Sequence, residues 1–178
     1  MQKDIKPWYA SWFDTPFYHI LYQDRDEKEA AFLIRRLLNH LNLKPPAQIL
    51  DLACGKGRHS RYLNTLGYDV IGVDLSQQSI EYAKRYENEL LHFEVHDKLI
   101  PYPKQFDAVF NLFTSFGYFE DPTDNIRVIK NIKSSLKPDA FGVIDFMNAY
   151  KEKNSLVKEE TKTVDGITFH LHRYLKDG

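Results

Sequence analysis

The segment ILDLACGKGRHS, residues 49–60, constrains the fold more than any other. A short apolar run ends at Asp51, a loop carries Gly55 and Gly57, and a helical pattern follows. The chain has only eight glycines, and two of them stand two apart at this one strand–helix junction. Glycine there lets backbone approach a ligand with no Cβ in the way, and it admits positive φ. The next apolar run, DVIGVDL (69–75), carries a second carboxylate, Asp74, near its end. In nucleotide-binding α/β folds an acid at that place accepts hydrogen bonds from ribose hydroxyls. The plain alternative is a tight turn with two solvated aspartates. The ordered set of strand, acid, glycine pair, helix, strand and acid weighs against it.

The rest of the chain repeats the alternation. RDEKEAAFLIRRLLNHLNL places Ala30, Leu33, Ile34, Leu37, Leu38 and Leu41 at helical spacing, and Pro45-Pro46 ends that helix. Strands are expected at 47–53, 69–75, 90–97, 105–116 and 140–148, with helices after the first, second and fourth. Ser76 is the expected N-cap of the second of these helices, and Gly67 the stop of the first. In the third, Ile126, Ile129, Ile132 and Leu136 are expected on one inward face. Strands alternating with helices of ten to fifteen residues mean βαβ units and a parallel sheet. Apolar strands such as VIGV and AVFNLF fit a sheet covered on both faces. The flanks differ from this core. The first 24 residues carry Trp8, Tyr9, Trp12, Phe13, Phe17, Tyr18 and Tyr22, and read as short helices broken near Pro16. KEKNSLVKEE reads as a polar loop or mobile helix, and TKTVDGITFHLHRYLKDG as two strands about the Asp165-Gly166 turn. The expected organisation is one domain: a helical cap and leading helix (1–45), an α/β core (46–148), then the polar loop and hairpin (149–178). Stopping on a second turn signal, Lys176-Asp177-Gly178, suggests a truncated chain.

Composition removes several function classes. Lys and Arg number 24 against 25 Asp and Glu, for a net charge of −1. That balance argues against a nucleic-acid binder and against docking on an anionic membrane. The longest uncharged stretch, residues 108–119, is shorter than the roughly 20 apolar residues of a spanning helix. The one cysteine, Cys54, excludes an internal disulfide and a cysteine-pair zinc site. A reduced, cytoplasmic protein is the expectation. An unpaired sheet edge would favour a homodimer.

Two nucleotide patterns fail. The dinucleotide fingerprint wants glycine or alanine at position 60, where Ser60 stands. Lys56 lies between the glycines, which is not the lysine spacing of a P-loop. The motif DLACGKGR, followed by GVDLS, VHD (95–97), FDAVFNLFTSFGYF (106–119) and LKPDAFGVIDF, resembles instead the class I S-adenosylmethionine-dependent methyltransferases, over about Ile49 to Met147. The resemblance implies a Rossmann-like, doubly wound, mostly parallel sheet with helices on both faces. It also implies a missing end, because the family's sheet normally continues for two more strands.

What the resemblance implies for the site follows position by position. Ala53, Gly55 and Gly57 would pass under the methionine part of S-adenosylmethionine, and Asp51 would lie near its ammonium group. Arg58 would pair with its carboxylate or with a surface acid. Asp74 would hold the ribose hydroxyls and Leu75 would pack on adenine. Asp97 would accept from the adenine amino group, with a backbone donor from Lys98. Asn111 and Phe113 would line the methyl-transfer side. The partner would be a small-molecule methyl acceptor, with nitrogen or oxygen as nucleophile, and no metal is called for.

Catalytic groups are poorly specified, since a sulfonium methyl is already activated and positioning does most of the work. His59, His19 and Tyr118 are candidate bases or positioning groups. A surface helix position is the alternative for His59. His96 is expected to point away from Asp97, because strand neighbours face opposite sides. His170 and His172 read as a solvated hairpin face rather than a metal pair. Cys54 reads as a small buried residue with no base beside it. The N-terminal aromatics could close over the cofactor, where ring faces would favour a sulfonium, or simply pack as core. A non-catalytic S-adenosylmethionine-binding module and an NAD-dependent oxidoreductase are the rival functions.

Overall fold

The computed structural model describes residues 9, 12–13, 15–23 and 27–175. Trp8 and the Lys176-Asp177-Gly178 turn signal lie outside the described residues. Helices α1 (Pro16–Leu21) and α2 (Glu27–Leu41) precede the alternating core. The core runs β1 (Gln48–Leu52), α3 (Arg58–Thr65), β2 (Asp69–Asp74), α4 (Gln77–Ala83), a 3₁₀ turn (Lys84–Tyr86) and β3 (Leu91–Val95). It continues with β4 (Phe106–Asn111), α5 (Pro122–Ser134) and β5 (Leu136–Ile144). Then follow α6 (Ala149–Ser155), β6 (Glu159–Val164) and β7 (Ile167–His172).

The five core strands form one parallel sheet in the order β3-β2-β1-β4-β5, the doubly wound arrangement that the alternation predicts. Alternate residues of each strand feed two separate cores. Ile49, Val70, Leu91, Phe93, Ala108 and Phe110 point to one face, where Ile34 and Leu38 of α2, Leu63 of α3 and Ile80 of α4 cover them. Leu50, Ile71, Val73, Phe106 and Val109 point to the other, against Val128 and Ile132 of α5. Burial on both faces is why these strands read as continuous apolar runs. The inward stripe of α2 is Ala30, Ile34 and Leu38, with Leu33, Leu37 and Leu41 packed beside it.

Several boundaries move. β5 begins at Leu136, where a bulge sets Phe106 opposite Leu136 but Ala108 opposite Phe141. β4 stops at Asn111, because Phe113 and Thr114 turn into positive φ. The segment after Met147 is helical over α6, and β6 begins at Glu159, earlier than expected. The inward face of α5 is corrected: Val128, Asn131 and Ile132 are buried, while Ile126 and Ile129 are about half exposed. Ser76 caps α4 by accepting from Ser79 N–H at 3.0 Å, and Gly67 follows α3 at φ +88°. β6 and β7 pair only with each other, so the hairpin stands apart from the main sheet. It leans on α1, where Lys162 Nζ donates to the Leu21 carbonyl at 3.4 Å. No helix among the described residues is long and apolar enough to cross a membrane.

Candidate functional site

Strand order reverses between β1 and β4, and a cavity of about 300 Å³ opens at the carboxyl ends of the strands there. That is where open α/β sheets bind ligands, since loops diverge on either side of the reversal. Ala53 to Lys56 from the β1 loop and Asp74 to Ser76 from the end of β2 form one wall. His96 to Lys98 follow β3, and Leu112, Phe113, Ser115, Tyr118 and Phe119 follow β4. Tyr9, Phe13, Tyr18, His19 and Tyr22 roof it from the N-terminal segment.

The floor is the glycine loop. Gly55 has φ +57°, and a Cβ built on it meets no atom within 4 Å, so the cavity runs up to bare backbone. Gly57 answers a different need. Its φ is +77°, and a Cβ there would lie 2.5 Å from the Phe93 ring. Asp74 closes β2 with its carboxylate held on two sides: Gly55 N–H donates to Oδ2 at 2.8 Å and Ser76 N–H to Oδ1 at 2.9 Å. The acid and the glycine loop are thus locked to one another. Leu75, next along, is about half exposed on the rim. Asp97 accepts from Leu99 N–H at 2.9 Å, and Asn131 Nδ2 donates to the Lys98 carbonyl at 2.9 Å, which ties this loop to α5.

Of the residues singled out from sequence, Ala53, Gly55, Arg58, His59, Asp74, Leu75, Asp97, Lys98, Phe113, His19 and Tyr118 meet around this cavity. Asp51, Gly57 and Asn111 are not on its wall. Asp51 is fully buried behind the loop and accepts from Ser60 Oγ at 2.5 Å. Burial pushes its carboxyl up to about 6, against the pull of the Ser60 hydrogen bonds. The same Ser60 Oγ would lie 2.8 Å from a Cβ at Gly72, so the hydroxyl fills the helix–strand contact that the dinucleotide fingerprint leaves to glycine. Asn111 is fully buried too, and its Nδ2 donates to the Leu52 carbonyl at 2.7 Å and to Ser115 Oγ at 2.9 Å. It joins the ends of β1 and β4 from below.

The histidines take three different settings. His59 is buried, only 6% exposed, and faces the cavity from the first turn of α3. Burial, with Arg58 adding to it, lowers its pKa to about 4, so the ring is neutral near pH 7. His96 borders the cavity, while its ring packs edge-on against Tyr102 at 5.2 Å, a residue of the core under α5. Its Nε2 lies 2.9 Å from the Ile100 carbonyl. His170 and His172 sit beside Thr161 and Glu159 on the exposed hairpin. No group of three or more metal-ligating side chains occurs among the described residues. Cys54 is buried, and desolvation raises its thiol well above the ordinary range, so it is no nucleophile near neutrality.

The aromatics form a roof and not an outlying core. Tyr9 stacks on Tyr118 with ring centroids 6.2 Å apart, and Phe13 meets Tyr18 at 4.9 Å and Tyr118 at 5.5 Å. Burial pushes the Tyr18 phenol up to about 12, keeping it a hydrogen-bond donor. Sequence reasoning missed Tyr9, Phe13 and Phe119 as individual wall residues. Only their aromatic density signalled them.

Residues 49–139, half of the chain, match the family model described as a methyltransferase domain. The Bacillus subtilis protein YqeM, named as a methyltransferase, is 31% identical over 114 residues, covering 62% of this chain and 46% of that one. This chain therefore spans less than half the length of that relative. The sugar N-methyltransferase KedS8 of Streptoalloteichus is 25% identical with a TM-score of 0.65, over 85% of this chain and 62% of that one. An S-adenosylmethionine-dependent methyltransferase of Clostridium acetobutylicum shares the fold at 22% identity, with a TM-score of 0.70 over 90% of this chain and 67% of that one. A glycine loop, an acid bonded to it and a cavity at the strand-order reversal agree with these likenesses: the chain belongs to the methyltransferase domain family, on the Rossmann-like fold of the class I enzymes.

Proposed function

We propose that the protein transfers a methyl group from S-adenosylmethionine to a nitrogen or oxygen of a small-molecule acceptor. The observation that carries this reading is the lock between Asp74 and Gly55. It presents a carboxylate beside bare backbone at the floor of a cavity of small-molecule size. The donor set fits the cofactor. Each oxygen of Asp74 accepts from a backbone N–H, which fixes the carboxylate plane that a ribose diol would meet. Leu75 offers an apolar edge for adenine, and Asp97 an acceptor for its amino group. Arg58, over the Phe113 ring at 5.1 Å and paired with Glu29 at 3.1 Å, brings a cation to the wall that the cofactor's carboxylate would meet. KedS8, by its name, methylates a sugar nitrogen, and that supports a small acceptor here.

When bound, the cofactor supplies a methyl on a sulfonium, with a neutral leaving group. The chain's part is to hold the reacting atoms in line and to keep water out. The aromatic roof of Tyr9, Phe13, Tyr18 and Tyr22 covers the cavity, and ring faces favour positive charge beneath them. Phe113 and Thr114 hold positive φ, a cost of roughly 1–3 kcal/mol per residue that the surrounding bonds maintain. Phe113 N–H donates to Asp145 Oδ2 at 2.9 Å, and Ser115 Oγ donates to the Leu112 carbonyl at 2.8 Å. This wall is thereby preformed. Neutral His59, His19 and the Tyr118 hydroxyl are the groups placed to accept or donate a hydrogen bond to the acceptor.

Calorimetric titration with S-adenosylhomocysteine and, separately, with NAD tests the reading. Expected is binding of the first and not the second, weakened about 10- to 100-fold in Asp74→Ala by loss of charge-assisted hydrogen bonds. Tight binding of NAD, or an unchanged affinity in the variant, would overturn it.

A further inference from the structure

Lys98 carries a side chain that nothing above employs. Only its backbone was expected to serve the cofactor. The side chain leaves the loop after β3 and crosses to the loop after β4, where Nζ donates to the Ser115 carbonyl. Nζ also lies 5.4 Å from the centre of the Tyr118 ring and 5.1 Å from that of Phe119. An ammonium has three N–H donors. Among the described residues one carbonyl and two ring faces are its recorded partners, and no carboxylate comes within ion-pair distance. Asp74 and Asp97 act on it only at longer range and are bonded to backbone amides. Burial lowers the Lys98 pKa despite both acids, so the charge is under-compensated where it sits.

The surroundings define what could complete it. Tyr9 stacks on Tyr118 and meets Phe119 edge-on at 5.6 Å, and Phe13 tilts against Tyr118 at 5.5 Å. These rings make an apolar slot with one cation at its base. The other basic residues of the cavity are differently engaged: Arg58 has Glu29, and Lys56 lies over Tyr82, 5.1 Å from the ring centre. Resting on the methyl-transfer reading, we propose that the acceptor is a small molecule with an anionic oxygen group, a carboxylate in the simplest case, and that Lys98 is the residue that selects it. The anionic group anchors the acceptor, and its body lies against Phe13, Tyr118 and Phe119. The nucleophilic atom is a separate part of the same molecule.

Benzoate and benzyl alcohol are matched probes, with the same ring and with or without the charge. Each is titrated by calorimetry into the wild type, Lys98→Met, Lys98→Gln and Lys98→Arg, with and without saturating S-adenosylhomocysteine. Expected is a wild-type preference for benzoate of about tenfold or more, the scale of one charge-assisted hydrogen bond. The preference should vanish in the Met and Gln variants and persist within about threefold in the Arg variant. Equal affinities for the two probes in the wild type, or a preference that survives in both Met and Gln variants, would overturn the proposal. So would a loss of S-adenosylhomocysteine affinity in those variants matching the loss for benzoate, which would put Lys98 in the cofactor site. If the wild type fails to bind S-adenosylhomocysteine, the cofactor reading falls, and the titrations without it still read Lys98.

Discussion

Gly55 and Gly57 stand two residues apart in one loop and meet different demands. A methyl at Gly55 would project into open space, so Gly55→Ala should cost only about 1 kcal/mol, for its positive φ. The same methyl would intrude on the ligand, and S-adenosylhomocysteine affinity should fall about tenfold or more. A methyl at Gly57 would strike the Phe93 ring, adding overpacking to the strain of φ +77°. Gly57→Ala should therefore lose about 2–4 kcal/mol in urea denaturation. Equal stabilities for the two variants would refute this division. The sequence marks both glycines alike, because spacing along a loop does not reveal which side each Cα faces. Asp51 is the same lesson in reverse. Its place at a strand end suggested contact with a ligand, and the fold turns it back onto Ser60.

Among the elements, α5 shows how helical periodicity can be right in kind and displaced in phase. Three isoleucines at i, i+3 and i+6 propose a stripe, yet the buried positions are Val128, Asn131 and Ile132. Asn131 is buried because its amide meets the Lys98 carbonyl and its own carbonyl accepts from Ser134 and Ser135 hydroxyls. A polar residue with a distant backbone partner is invisible to a hydrophobic pattern. Val128→Ala should cost about 2 kcal/mol by leaving a cavity under β4, while Ile129→Ala should stay within about 0.5 kcal/mol. Thermal melts of the two single variants compare them directly. Ser76, Gly67 and the Asp165-Gly166 turn were legible because capping and turn chemistry are settled within a few residues.

At the scale of the whole molecule, two buried titrating groups oppose one another. Asp51 has a folded pKa of about 6, above its ordinary 3.8, so the folded state holds the extra proton between those values. Stability from this group falls as pH rises from about 4 to 6, by about 3 kcal/mol. His59 has a folded pKa of about 4, below its ordinary 6.5, so the unfolded state holds the extra proton. Stability from this group rises with pH across about 4 to 6.5, again by about 3 kcal/mol. These two contributions should nearly cancel in the wild type. Asp51→Asn should expose the His59 rise with pH, and His59→Gln the Asp51 fall. Urea midpoints measured at pH 4.5, 5.5 and 7 distinguish these slopes, and variants with parallel profiles would contradict the assignment.

The sequence by itself determined the order of strands and helices, the two-faced burial of the sheet and the junction that carries the glycine loop. Those follow from periodicity, capping and turn chemistry, which act over a few residues. It also placed Gly55, Asp74 and Asp97 near one another, since strand ends of a doubly wound sheet share an edge. Only the tertiary structure decided that Asp51, Gly57 and Asn111 brace the site from behind, that His59 is buried and neutral, and that the Lys98 ammonium meets the Tyr118 and Phe119 rings. Each of these depends on contacts between residues distant in the chain and on which side of the backbone a side chain leaves. Local pattern carries neither kind of information.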